Sequence, residues 1–393
     1  MQTFFEAVDF SSLELPAAAL RVREEVRAFL REEIAASSFI PHLGHTEFDA
    51  DFTRKVAQHG WIGMTWPSRY GGQERSYLDR FVVTEEMLAV AAPCAAHWFA
   101  DRQTGPSLLR YGSEALKQRY LPAIVRGECY FALGMSEPNS GSDLASVRTR
   151  AERAPGGWRV TGQKVWTSWA HKAHAFFVLC RTSPDTGKRH EGLSQLIVEL
   201  DQPGVTVRPI RFMNGSHHFN EVFLENVFVP DERVVGEIGQ GWKQVTSELA
   251  LERSGPERFM TTFPLLTALI KRLGANADTR AAEMVGRLTA RFWALRRMAL
   301  AIALTLDPKP GGEATADLAT EAALVKDMGT FYEREIVDAA RLLAAIEPDP
   351  DALDTFERYL AETIYAAPIS TIRGGTTEVL RTLIARRLLG PLK

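Results

Sequence analysis

The chain has 393 residues, 45% of them apolar and 24% charged, with a formal net charge of −3. That length allows two or three domains with a sizeable core, and the balanced charge supplies no basic face for nucleic acid. Cys94, Cys129 and Cys180 are odd in number and far apart, with no CxxC pair, so neither a disulfide framework nor a zinc site is expected and a reducing, cytoplasmic setting fits.

Residues 1–16 carry acids and no continuous apolar core, unlike a secretory signal or an Arg-rich transit peptide. From Ala17 to Ile34, Leu20, Val22, Val26, Phe29, Leu30 and Ile34 recur at helical intervals, which predicts an amphipathic helix. Further helices are expected at Phe52–His59, Leu78–Ala91 and Ser113–Ala123, punctuated by Pro67 and Gly71-Gly72. Residues 1–125 thus read as an N-terminal helical domain.

The character changes near Gly127. Trp158–Thr161, Lys164–Thr167, Ala175–Arg181, Ser194–Leu200, Val205–Ile210 and Glu221–Val229 are short, rich in Val, Phe and Ile, and bounded by turn residues. They predict a central β-domain over residues 126–235, with a hairpin turn at Pro155-Gly156-Gly157. Helical periodicity returns in Gly241–Leu273, Thr279–Leu306, Glu313–Ala345, Ala352–Ala366 and Thr377–Leu389, broken at Gly274, Pro308–Gly312 and Pro348–Pro350. Residues 236–393 therefore read as a C-terminal helical bundle, and the fold class is α+β. The apolar run Met298–Leu304 is too short to span a bilayer, so no membrane insertion is expected.

Two polar clusters interrupt this plan. Gly134-Met135-Ser136-Glu137-Pro138-Asn139-Ser140-Gly141-Ser142-Asp143 is a poor recipe for a buried strand and a good one for a ligand-binding loop. Gly162-Gln163-Lys164-Val165-Trp166-Thr167-Ser168 adds an aromatic and two hydroxyls at a strand end. These clusters resemble the signature of the acyl-CoA dehydrogenases, flavoenzymes that desaturate acyl-CoA thioesters. Further matches run in the same order: Gly60-Trp61, Tyr70-Gly71-Gly72, Tyr111-Gly112-Ser113-Glu114, Phe219-Asn220-Glu221-Val222, Gly239-Gln240-Gly241-Trp242 and Leu251-Glu252-Arg253. The resemblance implies an N-terminal helical domain, a central β-barrel or sandwich and a C-terminal helical bundle.

It also implies FAD as cofactor. Ser136 and Ser168 are similar to hydroxyls that hydrogen-bond the flavin ring, Trp166 to the aromatic covering its face, and Ser142 to a hydroxyl near the pyrophosphate or the CoA arm. Gly141 and Thr167 fall in the same cofactor-binding set, and Arg253 joins Ser142 on the substrate side. The plain alternative for each residue alone is a capping serine or a core tryptophan. Gly374-Gly375-Thr376-Thr377-Glu378 opens the last helix, and the family uses positions matching Thr376 and Glu378 for FAD.

The reaction needs a base for the proton next to the thioester carbonyl. Most family members carry it as the Glu of a Tyr-Glu-Gly-Thr motif, but the matching stretch here is Arg373-Gly374-Gly375-Thr376. A minority carry it on the helix after the β-domain, where Glu252 stands. At about 100° per residue Glu252 falls near Val245, on the apolar stripe of Trp242, Val245 and Leu249, so its pKa is expected above the ordinary value of about 4.3. Pairing with Arg253 is the bland alternative, and Glu248 and Glu257 are weaker candidates, the latter beyond the helix-disturbing Gly255-Pro256. His217 and His218 show no metal spacing and read as surface or loop residues; no metal is expected.

Arg-x-x-Phe-Gly and Gln-x-x-Gly-Gly, which grip a neighbouring subunit's FAD in many members, are absent between Arg258 and Phe356. Two further readings follow: a non-catalytic or FAD-poor subunit of a heteromeric enzyme, and a flavin monooxygenase or oxidase on the same scaffold. The resemblance implies an acyl-CoA substrate, electron-transfer flavoprotein as acceptor, and a homotetramer or heterotetramer.

Overall fold

The computed structural model describes residues 14–37, 39, 46–183, 188–307 and 318–390; the side chains of residues 248–252 lie outside that description. In chain order the helices are α1 (Ala17–Ala35), α2 (Ala50–Gln58), α3 (Tyr77–Ala89), α4 (Ala95–Phe99), α5 (Gly105–Tyr111), α6 (Glu114–Val125), α7 (Gly241–Glu252), α8 (Phe263–Leu273), α9 (Thr279–Leu306), α10 (Ala319–Ala344), α11 (Thr355–Ala366) and α12 (Thr377–Leu389). Between α6 and α7 run β1 (Phe131–Gly134), β2 (Arg150–Ala154), β3 (Gly157–Ser168), β4 (Ala175–Arg181), β5 (Leu193–Glu199), β6 (Val205–Arg211), β7 (His217–Pro230) and β8 (Val234–Val235). This is the acyl-CoA dehydrogenase order of helices, sheet and helices that the resemblance implied.

By contacts the chain forms two compact units, each from separate segments. The first takes Met1–Glu47, Arg75–Pro93 and Ala250–Lys393, and the second takes Phe48–Glu74 and Cys94–Leu249.

In the first unit α1 buries Val22, Val26, Phe29 and Leu30 and packs on α3, as its periodicity predicted. Charge reinforces the packing. Glu85 accepts from Arg23 at 3.0 Å and from Arg296 of α9 at 2.5 and 2.9 Å, while Glu86 pairs with Arg23 and Arg27. Asp278 and Asp354 cap α9 and α11 by accepting backbone N–H groups. The expected continuous helix over Gly241–Leu273 is interrupted: Gly255 and Pro256 open a 3-10 turn at Pro256–Arg258 before α8 begins. Of the expected Glu313–Ala345 helix, residues 313–317 lie outside the described residues and α10 covers Ala319–Ala344, ended by the left-handed Ala345.

The second unit holds an eight-stranded sheet in the order β6-β7-β3-β2-β4-β5-β8, with β1 parallel to β4 off that path. Phe176, Val178, Leu196, Val198, Val222, Leu224, Val227 and Val229 form its core. The Pro155-Gly156-Gly157 turn joins β2 to β3, and Gly156 supplies the positive φ of +74° that it requires. The two strands expected at Trp158–Thr161 and Lys164–Thr167 are one strand, β3, whose register against β7 shifts between Val160 and Gly162 and between Lys164 and Thr167. His217 and His218 are a correction: they open β7, half-buried, instead of lying in a loop.

Candidate functional site

The loop after β1 is fastened by charge. Glu137 and Ser140 exchange backbone hydrogen bonds at 2.8 and 3.0 Å around Pro138-Asn139, and the Ser140 hydroxyl donates to the Asp143 carbonyl at 2.8 Å. Beneath this turn the Glu137 carboxylate accepts from the wholly buried Lys164 Nζ at 2.8 Å and from the backbone N–H groups of Arg148 and Thr149 at 2.6 and 2.9 Å. Lys164 Nζ also donates to the Met135 carbonyl at 3.0 Å. Burial alone would raise the Glu137 pKa, but the Lys164 charge and these donors hold it below the usual carboxylate range. Gly162 is required here, because a Cβ would stand 2.3 Å from Thr149 Oγ1.

The effect is to present polar groups outward. Ser136 is half-buried directly before the brace, and its carbonyl accepts from Val165 N–H at 3.0 Å, which ties the loop to the end of β3. Gly141, Ser142 and Asp143 are exposed, and a Cβ on Gly141 would meet nothing within 4 Å. The loop therefore leaves open space on its outer side.

The end of β3 is the second part. Trp166 and Trp169 both have left-handed backbones, with φ of +59° and +55°, costly for bulky residues and held only where the surroundings enforce them. Trp166 is 55% exposed, its ring edge-on to Phe219 with centroids 5.9 Å apart. Thr167 is buried, and its Oγ1 has no partner among the described residues; Ser168 is half-buried. A half-exposed indole, half-buried serines at 136 and 168, and a buried hydroxyl on Thr167 without a partner fit a planar, hydrogen-bonding ligand such as a flavin ring.

In this unit α7 is anchored at its start. Gln244 Nε2 donates to the Val235 carbonyl at 2.7 Å, and Val245, wholly buried, packs with Val147, Leu179, Leu193 and Trp242. The stripe expected of Trp242 and Val245 is present; Glu252 is the last residue of α7, and its side chain, like those of Glu248 and Leu249, lies outside the described residues. Glu257, the other weak candidate, is buried in the 3-10 turn of the first unit.

The first unit carries the remaining candidates. Arg253 is buried and its Nε donates to the Gly374 carbonyl at 3.0 Å. Gly374 and Gly375 have φ of +67° and +97°, so the position that bears the base in most of the family has here a backbone that a glutamate adopts only with strain. Thr376 caps α12 by accepting from Val379 N–H at 3.4 Å, and Glu378 is exposed in its first turn. Hydrogen bonds from its own backbone N–H and from Thr376 hold the Glu378 carboxyl low, as an anion at a helix N-terminus.

The roles of Glu137, Lys164 and Asn220 are not legible in the motifs that contain them. Two complementary buried charges 27 positions apart were the available signal. No group of His, Cys, Asp or Glu among the described residues has metal-holding geometry. Cys94, Cys129 and Cys180 are free thiols; burial raises all three, Cys129 and Cys180 to about 12. No helix among the described residues is long and apolar enough to cross a membrane.

Comparison with known proteins agrees with this fold. Residues 17–128 match the family model described as acyl-CoA dehydrogenase, N-terminal domain, and residues 132–227 match the middle domain. Acyl-CoA dehydrogenase IpdE1 of Mycolicibacterium smegmatis is 34% identical over 395 residues, covering 94% of this chain and 96% of that protein. Acyl-CoA dehydrogenase FadE34 of Mycobacterium tuberculosis is 37% identical over 344 residues, covering 85% of this chain, which spans only 45% of FadE34's length. Among solved structures, the Tcur3481-Tcur3483 steroid ACAD is 28% identical with a TM-score of 0.81, covering 97% of this chain and 100% of that one. The ChsE4-ChsE5 complex of Mycobacterium tuberculosis is 26% identical with a TM-score of 0.77 over 97% of this chain and 100% of that one.

Proposed function

The chain belongs to the acyl-CoA dehydrogenase family, and on that premise we propose that it oxidises the bond between the α- and β-carbons of a bulky, steroid-type acyl-CoA thioester. The observation that carries the reading is the presentation of Trp166, Ser136 and Ser168, fastened by the 3.0 Å bond from Val165 N–H to the Ser136 carbonyl. Ser136, Thr167 and Ser168 would hydrogen-bond a flavin ring and Trp166 would cover it, while Gly141, Ser142, Thr376 and Glu378 would serve the rest of FAD. FAD, when bound, accepts the hydride from the β-carbon.

Glu252 takes the α-proton in this reading, since position 374 holds a glycine. Removal of that proton leaves an enolate on the thioester oxygen, which fixed donors must stabilise. Arg253 carries a guanidinium next in sequence to the base, and its bond to Gly374 holds the turn before α12. The steroid assignment draws on the likeness to the 28% identical steroid ACAD. Electron-transfer flavoprotein is the proposed acceptor and the cytoplasm the proposed setting. The resemblance to the family is what supports a tetramer.

The test is an anaerobic titration of the flavin absorption band with straight, branched and polycyclic acyl-CoA thioesters. The polycyclic class should bleach it, and Glu252→Gln should keep FAD while losing the bleaching; unchanged turnover in Glu252→Gln would remove the base assignment. A second reading, a subunit that completes a partner's site, draws on the missing FAD-gripping motifs and on two structural neighbours that are each named for a pair of proteins. Its mark is a chain that takes up no FAD alone and gains activity on mixing with a second chain.

A further inference from the structure

The left-handed turn that presents Trp166 is strained, so something must hold it. Its backbone is fixed at both ends of Thr167-Ser168: Trp169 N–H donates to the His218 carbonyl at 2.7 Å, and the Thr167 carbonyl accepts from Asn220 Nδ2 at 3.0 Å. Asn220 is wholly buried in the register position facing Thr167, and its Nδ2 also lies 3.4 Å from the His218 carbonyl. Its Oδ1 contacts two imidazoles, His171 Nδ1 at 3.1 Å and His217 Nε2 at 2.9 Å, whose rings stack with centroids 4.2 Å apart. All hydrogen-bonding atoms of this one amide are therefore engaged, with the strained turn on one side and a histidine pair on the other.

We propose that Asn220, seated on His171 and His217, is a positioning residue that locks the left-handed turn and thereby sets where Trp166 and Ser168 meet the flavin. The proposal rests on the functional reading above for its last clause only. With both rings neutral, His171 Nδ1–H and His217 Nε2–H donate to Oδ1 together and leave Nδ2 aimed at Thr167. Acid opposes this arrangement. A proton on each ring puts two like charges 4.2 Å apart, with the Lys172 ammonium, itself over the Phe48 and Trp169 rings, adding to the repulsion. Burial first, then His217, pushes the His171 imidazole below its usual range, against the hydrogen bond to Asn220, which raises it. His218, against Trp169 and Phe212, is the other titratable ring facing the turn.

The experiment uses the full chain labelled with 5-fluorotryptophan, its Trp166 fluorine resonance assigned by its loss in Trp166→Phe. In the wild type that resonance should move as pH falls below the ordinary imidazole value of about 6.5, since folding lowers the His171 pKa. His217→Gln, which takes one of the two stacked rings out of the pair, should abolish most of that movement. Asn220→Ala should shift the resonance at every pH, weaken FAD binding about tenfold, the equilibrium equivalent of one lost hydrogen bond, and displace the flavin absorption band. A Trp166 signal indifferent to both substitutions overturns the lock; should Asn220→Ala not fold, the pH response of His217→Gln decides alone. A signal that moves while FAD affinity and band stay at wild-type values overturns the positioning role. A wild-type chain that takes no FAD defeats the functional reading, and the fluorine signal still decides whether Asn220 holds the turn.

Discussion

Each unit buries a charged cluster, and the two are built differently. In the helical unit Glu85 and Glu86 meet three arginines, so every bond is side chain to side chain and each acid has more than one cation. In the sheet unit Glu137 has one cation, Lys164, and spends its other capacity on the N–H groups of Arg148 and Thr149. The first arrangement joins helices that apolar packing already holds. The second ties three stretches of backbone, at Met135, Glu137 and Arg148-Thr149, into a loop with an open outer side. A cluster that shares its charges tolerates loss; a cluster with one cation and backbone partners does not.

The sharpest way to break this contrast is Lys164→Ala. It leaves the Glu137 carboxylate buried without its counter-charge and should cost about 3–5 kcal/mol, read from denaturant unfolding, with FAD binding lost in parallel. Arg296→Met comes next: Glu85 keeps Arg23, so about 1–3 kcal/mol is expected, with FAD binding unchanged. Equal costs for the two substitutions would dissolve the comparison. pH sharpens it further. The Glu137 pKa is lowered by folding, so its contribution is full above the unfolded value of about 4.3 and fades as pH falls through the lower folded value. Acid unfolding followed in Glu137→Gln should therefore show a weaker dependence in that window than the wild type. The smallest effect is Arg27→Ala, about 0.5 kcal/mol in the same unfolding assay, because its side chain is half-exposed and Glu86 retains Arg23.

The legible parts of the fold were those with local physical causes. α12 was readable because Thr376 caps it and glycines precede it, and the β2–β3 hairpin because Gly156 takes the turn's positive φ. The strands β1, β2 and β8 were not anticipated: β1 and β8 are four and two residues long, and β2 carries three charged residues in five and no β-branched or aromatic one. β3 read as two strands because Gly162 and a register shift beside it interrupt the pattern, while a second shift, between Lys164 and Thr167, holds the half-exposed Trp166. Of the site, Ser136, Trp166 and Ser168 were legible through motif resemblance. The supports were not: Glu137 finds Lys164 27 positions away and Asn220 finds His171 49 positions away, pairings that only the sheet creates.

The segmental make-up of the two units has a consequence for synthesis on the ribosome. All of the sheet unit has been translated once Leu249 is added, whereas the helical unit then holds only its first two segments. Glu85 must wait 211 residues for Arg296, with Arg23 as its interim partner. The faces of α3 that pack on α8 and α9 in the folded unit have no partner until the last third of the chain is made.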